Sequence, residues 1–167
     1  MASLKWVLGI IAAILMLIGG TALYVQQHDG PVEIFAGGPF RSGELIEGVE
    51  PDWAFIRSKD TVELQLLEPP SSRLLWVVEY DNRLYILSSF MNSRYGKAWK
   101  HWPYQAEKDP RALMRVDGKI YPRRLARLAA EEVPQGVLDR FSEKYALEID
   151  AAQIESGSTW MYRLTNR

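Results

Sequence analysis

The chain has 167 residues, 47% hydrophobic and 25% charged, proportions of an ordinary globular protein that exclude a disordered or collagen-like chain. Lys and Arg number 20 against 21 Asp and Glu, so the formal net charge is -1 and the basic excess that a phosphate backbone demands is missing; no nucleic acid is expected as partner. Cysteine is absent, which excludes a disulfide framework, a thiolate zinc site and a Cys nucleophile.

Residues 6–25 read WVLGIIAAILMLIGGTALYV, with no side chain charged at neutral pH. At about 1.5 Å per residue this run is about 30 Å long as a helix, the thickness of a bilayer's hydrocarbon core. Trp6 and Tyr24 fall where interfacial aromatics sit. The pattern predicts a transmembrane anchor over residues 1–28, with the lipid bilayer as a partner. A cleaved signal peptide is the rival reading, because Lys5 precedes the apolar run and Gly20-Thr21-Ala22 is a weak small-residue cleavage site. The run is longer than the roughly 7 to 15 residues of a signal core, which favours the anchor. Lys5 lies before the helix and residues 26–40 hold no Lys or Arg, so the membrane protein is expected to be single-pass. Its amino terminus is then cytoplasmic and its soluble domain lies outside the cytoplasm, periplasmic in a bacterium.

Residues 26–48 contain Gly30, Pro31, Gly37, Gly38, Pro39, Gly43 and Gly48, a density of helix breakers that predicts a linker over 29–50 and a folded domain over 51–167. Asp52 ahead of Trp53, Phe55 and Ile56 reads as a turn or capping acceptor. Residues 61–67 alternate, with Val62, Leu64 and Leu66 on one face, as a half-buried strand requires. Residues 73–80 are almost continuously apolar, which suits a strand covered on both faces. Asp81-Asn82 separates that strand from another at 83–88, and Asp117-Gly118 joins strands at 111–116 and 119–128. Pro122 cannot donate to a ladder, so the strand carrying it is expected at an edge or with a bulge. Residues 159–164 offer a last strand. Helices are expected at 97–108, with a kink at Pro103, and at 134–147. The second sets Val137, Leu138, Phe141 and Tyr145 against Asp139, Arg140, Glu143 and Lys144. The fold class is α+β: a single transmembrane helix, then a small β-barrel with two or three peripheral helices.

The order LLWVVEY, RLYILSS, KAWKHWP, Lys108-Asp109-Pro110 and RVDGKIYPRRLARL, spread over residues 52–127, resembles the split β-barrel superfamily. That superfamily includes pyridoxamine-phosphate-oxidase-like flavoproteins and deazaflavin-dependent nitroreductases. Ala98-Trp99-Lys100-His101 and Asp109-Pro110 resemble an Ala-Trp-x-His run and a nearby Asn-Pro or Asp-Pro in the deazaflavin-dependent members. The resemblance implies a split barrel, FMN or a deazaflavin as cofactor, and oxidoreductase chemistry. One departure stands out: where members holding a deazaflavin phosphate tail carry a Gly-Arg-Lys-Ser-Gly type turn, this chain has Glu68-Pro69-Pro70-Ser71-Ser72-Arg73. An acid is added and two cations are lost, which leaves Ser71, Ser72 and Arg73 as donors.

Arg94, Lys97, Trp99, Lys100 and His101, with Tyr95 and Trp102, place cations and ring faces together ahead of a helix, a set suited to an anionic planar cofactor. A solvated basic face over two core tryptophans explains the same residues. His101 suits general acid or base work by its ordinary pKa, and equally suits a surface position. Its one companion, His28, lies beside the apolar segment, so no metal is expected. Arg123, Arg124 and Arg127 point to a cofactor phosphate or a dimer partner, or guard an edge strand. No catalytic residue is assigned. Two functions follow: a membrane-anchored flavin- or deazaflavin-binding oxidoreductase that reduces a hydrophobic acceptor such as a quinone, or a non-catalytic binding or assembly module, without cofactor, in a membrane complex. A homodimer or a membrane-complex partner fits either.

Overall fold

Alternating stretches and two-residue turns lay down the sheet. In the computed structural model, which describes residues 2–33, 35–48, 50–94, 96 and 100–167, a short β1 (Glu44–Leu45) precedes β2 (Thr61–Leu67), β3 (Pro70–Tyr80) and β4 (Arg83–Ser88). Then come β5 (Arg111–Val116), β6 (Lys119–Leu128) and β7 (Trp160–Asn166). Strands β2 to β7 close in the order β6-β5-β2-β3-β4-β7 and back to β6, every pair antiparallel, while β1 adds in parallel to β6. Asp81 and Asn82 both have φ of 54°, and Asp117 and Gly118 have 49° and 72°, the left-handed pairs that type I′ hairpins need.

Two long strands change partner along their length. β3 pairs with β2 as far as Trp76 and with β4 from Val77. β6 pairs with β5 as far as Arg124 and with β7 from Arg123. Each strand bends from one half of the barrel to the other, which makes this a split β-barrel. At Val77 the change of partner strands the backbone groups on the β2 side. Tyr145 Oη accepts from Val77 N–H at 3.0 Å, and Lys144 Nζ donates to Val77 C=O at 2.9 Å. Those two side chains take the place of a missing strand.

Pro122 does not mark an edge strand, because β6 is flanked along most of its length. Around the two-residue turn, Val116 and Lys119 form a hydrogen-bonded pair, so Leu113 and Pro122, three positions along, do not. The proline nitrogen therefore faces the other edge, between the β1 contact at Lys119–Ile120 and the β7 contact that starts at Arg123. It sits in a gap where no donor is needed.

Helix α1 (Ala2–Gln27) is followed by α2 (Trp102–Lys108), α3 (Gln135–Tyr145) and α4 (Ala151–Glu155). Expected helix 97–108 is observed from Trp102, with Pro103 in its first turn where no intrahelical N–H is required; residues 97–99 lie outside the described residues. Inside the barrel pack Trp53, Ile56, Leu64, Val77, Ile86, Met114 and Tyr162, under a lid formed by Trp102 and Ala106. Outside it, Val137, Leu138 and Phe141 of α3 cover Val78, Tyr85, Leu87 and Met161. Burial on both faces holds for Val77 to Glu79 alone; earlier in the strand Leu74 and Trp76 are exposed, so the expectation of a strand covered on both faces over 73–80 is met only in its second half.

Segment 29–50 lies on the barrel wall. Gly37 exchanges both backbone hydrogen bonds with Ser72, and β1 extends the sheet. Arg115 binds Asp29 and Glu63, and Glu50 binds Arg123 at 2.7 Å. A Cβ on Gly37 would overlap the Gly30 carbonyl and one on Gly38 the carbonyls of Gln26 and His28, so these glycines permit the close approach. Within α1, Lys5–Gln27 is long and apolar enough to cross a membrane, with an 18-residue stretch of mean hydropathy 2.3 that the rest of the chain leaves unburied; Val25, near its end, is buried.

Candidate functional site

The bend of β3 opens a cleft. Ser72, Leu74 and Trp76 present their backbone groups on the edge away from β2 until β4 takes over. Gly37 satisfies Ser72 there, and the edge at Leu74 and Trp76 then runs along a cleft of about 1430 Å³. Barrel residues Arg73 to Trp76, Leu87 to Phe90 and Lys100 to Trp102 form one wall, and residues 147–149 with Gln153, Ser158 and Thr159 close one side. Leu17, Ile18, Thr21 and Val25 of α1 form the opposite wall.

Arg73 is the distinctive group. It shares its face of β3 with Val77 of the interior, so its side chain turns into the mouth of the barrel under Trp102. The guanidinium carbon lies 5.9 Å from the Trp102 ring centre, and Nη2 donates to Ser71 Oγ at 3.1 Å. Its buried Nε has no partner, and among the described residues no carboxylate lies within ion-pair distance. Burial pushes the guanidinium down to about 10, so it remains a cation at neutral pH. A buried cation lacking a counter-charge within reach is costly; Glu33 and Glu148 line the same cleft but neither pairs with Arg73.

Lys100 is the second cation. Its Nζ donates to Ser89 C=O at 2.6 Å and lies 5.7 Å from the Phe90 ring centre, while burial pushes its pKa below the usual lysine value. His101 also lines the cleft, but it is exposed and caps α2 without a side-chain hydrogen bond. Ser71 Oγ reaches Gln105 Oε1 at 3.4 Å and also receives Arg73, whereas Ser72 is buried with its Oγ donating to Gly38 C=O at 2.6 Å. Ser72 is therefore a structural pin, with no hydroxyl left to offer a ligand. Arg94 is exposed and does not line the cleft. Lys97 and Trp99 lie outside the described residues.

Arg123 turns inward. It points into the barrel, where Glu50 Oε2 sits 2.7 Å from Nη1 and the Trp53 ring centre 4.7 Å from the guanidinium carbon. Its charge is thus compensated by Glu50, and it does not line the cleft. Arg127 lies 3.7 Å from the Trp160 ring centre beside Glu107, and Arg124 is exposed; neither lines the cleft. Sequence reasoning missed Leu74, Trp76 and Phe90 as lining residues. The signal for the first two was the parity of β3, which sends them out on the face opposite Arg73. Nothing local pointed to the α1 wall.

A guanidinium short of an anion, an ammonium nearby, indole faces and an apolar wall fit a ligand that is anionic at one end and planar or aliphatic at the other.

No family model matches the chain, and no curated protein matches it. Among solved structures, the chain is similar to a candidate pyridoxamine 5'-phosphate oxidase from Listeria innocua, at 12% identity and a TM-score of 0.45, over 67% of this chain and 87% of that one. A conserved hypothetical protein from Mycobacterium tuberculosis is similar at 13% identity and a TM-score of 0.42, over 68% and 76%. A FAD-binding protein from Mesorhizobium loti is similar at 14% identity and a TM-score of 0.40, over 67% and 84%.

Proposed function

We propose that the protein is a membrane-anchored split-barrel oxidoreductase that holds FMN or a deazaflavin in the cleft and serves a hydrophobic acceptor such as a quinone. The observation that carries this reading is Arg73, a cation buried at the cleft with no carboxylate within ion-pair distance among the described residues. Arg73 and Lys100 would hold the anionic end of the cofactor. The cofactor itself would supply the redox chemistry; the chain's part is to bind, orient and exclude water. No side chain needs to act as nucleophile. The apolar wall from Leu17 to Val25 supports a lipid-soluble acceptor, and Lys5 ahead of the span supports an amino terminus in the cytoplasm with the barrel outside it.

Titration of the full-length protein in detergent with FMN and with a deazaflavin, followed by cofactor fluorescence, tests the reading. Wild type is expected to bind one of them. Arg73→Gln is expected to weaken that binding about 10- to 100-fold, the effect of losing a charge-assisted hydrogen bond, while Arg127→Gln leaves it unchanged. Failure of wild type to bind either cofactor would overturn it.

One observation favours the second reading, a non-catalytic assembly module. Ser72 is committed to Gly38, and the exposed Leu74 and Trp76 offer an apolar strand edge to a partner protein or a second copy. Recovery of monomer alone after crosslinking in native membranes would count against it.

A further inference from the structure

The wall of the cleft nearest α1 holds large apolar side chains that the barrel leaves in the open. Phe90 is 71% exposed, Phe35 48%, Trp76 46% and Leu74 38%. All four line the same cleft as Leu17, Ile18, Thr21 and Val25 of α1. From Leu17 to Val25 is about 12 Å along a helix axis. The barrel rim is therefore level with the last turns of the apolar helix, from Leu17 past Tyr24 to Val25.

The placement is braced. Arg115 Nη1 binds Asp29 Oδ1 at 2.8 Å, Arg115 Nη2 binds the Asp29 carbonyl at 3.1 Å, and Gly38 lies against the Gln26 and His28 carbonyls. The barrel cannot swing off the helix end without breaking these contacts.

Resting on the reading of α1 as a membrane anchor, we infer that the cleft rim is seated in the bilayer interface, with Phe90, Phe35, Leu74 and Trp76 immersed at the boundary between headgroups and acyl chains. The overlap of about 12 Å compares with the roughly 5–10 Å to which interfacial elements bury an apolar face. Apolar area drives the seating rather than charge, because the cleft's cations Arg73 and Lys100 are matched in number by the carboxylates of Glu33 and Glu148. The cleft then opens sideways to lipid, and a hydrophobic acceptor enters it without crossing water.

The natural chain has no cysteine, so single cysteines report one site each. Leu74→Cys, Phe90→Cys, Leu15→Cys and Arg83→Cys are labelled with a fluorophore in the full-length protein, reconstituted in phosphatidylcholine–phosphatidylglycerol vesicles, and exposed to lipids carrying a nitroxide on the acyl chain. Arg83 pairs with Tyr80 at the far end of β3, about 20 Å from Leu74. The inference expects the labels at 74 and 90 to be quenched at least twofold more than the label at 83. Quenching at 15 with 74 and 90 no different from 83 would overturn the seating and leave the anchor standing. No quenching at 15 would remove the anchor and the seating together.

Discussion

Arg73 and Arg123 carry the same side chain at buried positions, each with an Nε that has no partner, and differ in whether a counter-charge reaches them. Arg123 has Glu50 and the Trp53 ring, whereas Arg73 has a hydroxyl, a ring edge and an open cleft. Both arginines stand in strands and look alike in one dimension; the difference arises from Glu50, which arrives from 73 residues away. Tyr145 makes the same point. Its place on the apolar face of a helix was legible from periodicity, but its hydroxyl serves Val77, whose need exists only because β3 changes partner there. Replacing Tyr145 with Phe strands the Val77 N–H and is expected to cost about 1–3 kcal/mol, measured by denaturant unfolding. Burial raises the Tyr145 hydroxyl from 10.0 to about 12. A folded-state pKa above the unfolded one gives a stability contribution that is complete below about pH 10 and is lost as pH rises toward about 12. Unfolding midpoints of wild type should fall across that window more steeply than those of Tyr145→Phe.

Elements whose form is decided by local backbone sterics were the most legible. The hairpins at Asp81-Asn82 and Asp117-Gly118 sit where those pairs tolerate positive φ, a third at Glu68-Pro69 has no such pair, and α3 follows its apolar stripe. Pro122 was misread as an edge signal because a proline states only that its nitrogen has no donor, and a closed barrel still has gaps between ladder segments. Breakers in residues 29–50 said where helix cannot form and were silent about what the chain would lie on. The joint there has an acid-sensitive component. Burial pushes the Asp29 carboxyl up, but hydrogen bonds from Ser42, the Arg41 N–H and Arg115, together with the Arg115 charge, outweigh it and hold the carboxyl well below the usual range. A depressed folded-state pKa makes this contribution present above about pH 4, the unfolded value, and lost as pH falls further. Hydrogen exchange across residues 29–43 should quicken below pH 4 in wild type. Asp29→Asn should show the quicker exchange already at neutral pH, with little further change in acid.

At the scale of the molecule, the split barrel was legible because the apolar run at 73–80, the hairpins and the late helix all pointed to one closed sheet, and the sequence resemblance implied the fold that is observed. The candidate site was legible in part. Arg73, Lys100 and His101 do line one cleft, since β4 leads back toward the bend of β3 where α2 begins. Ser72 and Arg94 were read from their chemistry alone, which says nothing about the Gly38 carbonyl or about which way a loop faces. The α1 wall depends on a joint made of contacts distant in sequence, so no window of residues announces it. Because the account places a planar anionic redox cofactor beside an uncompensated Arg73, the most direct measurement is the visible absorbance spectrum of the protein purified in mild detergent from the membrane of its own cell. A flavin or deazaflavin band that copurifies with wild type and is lost from Arg73→Gln is predicted. A colourless wild-type protein that stays colourless after incubation with both cofactors would contradict it.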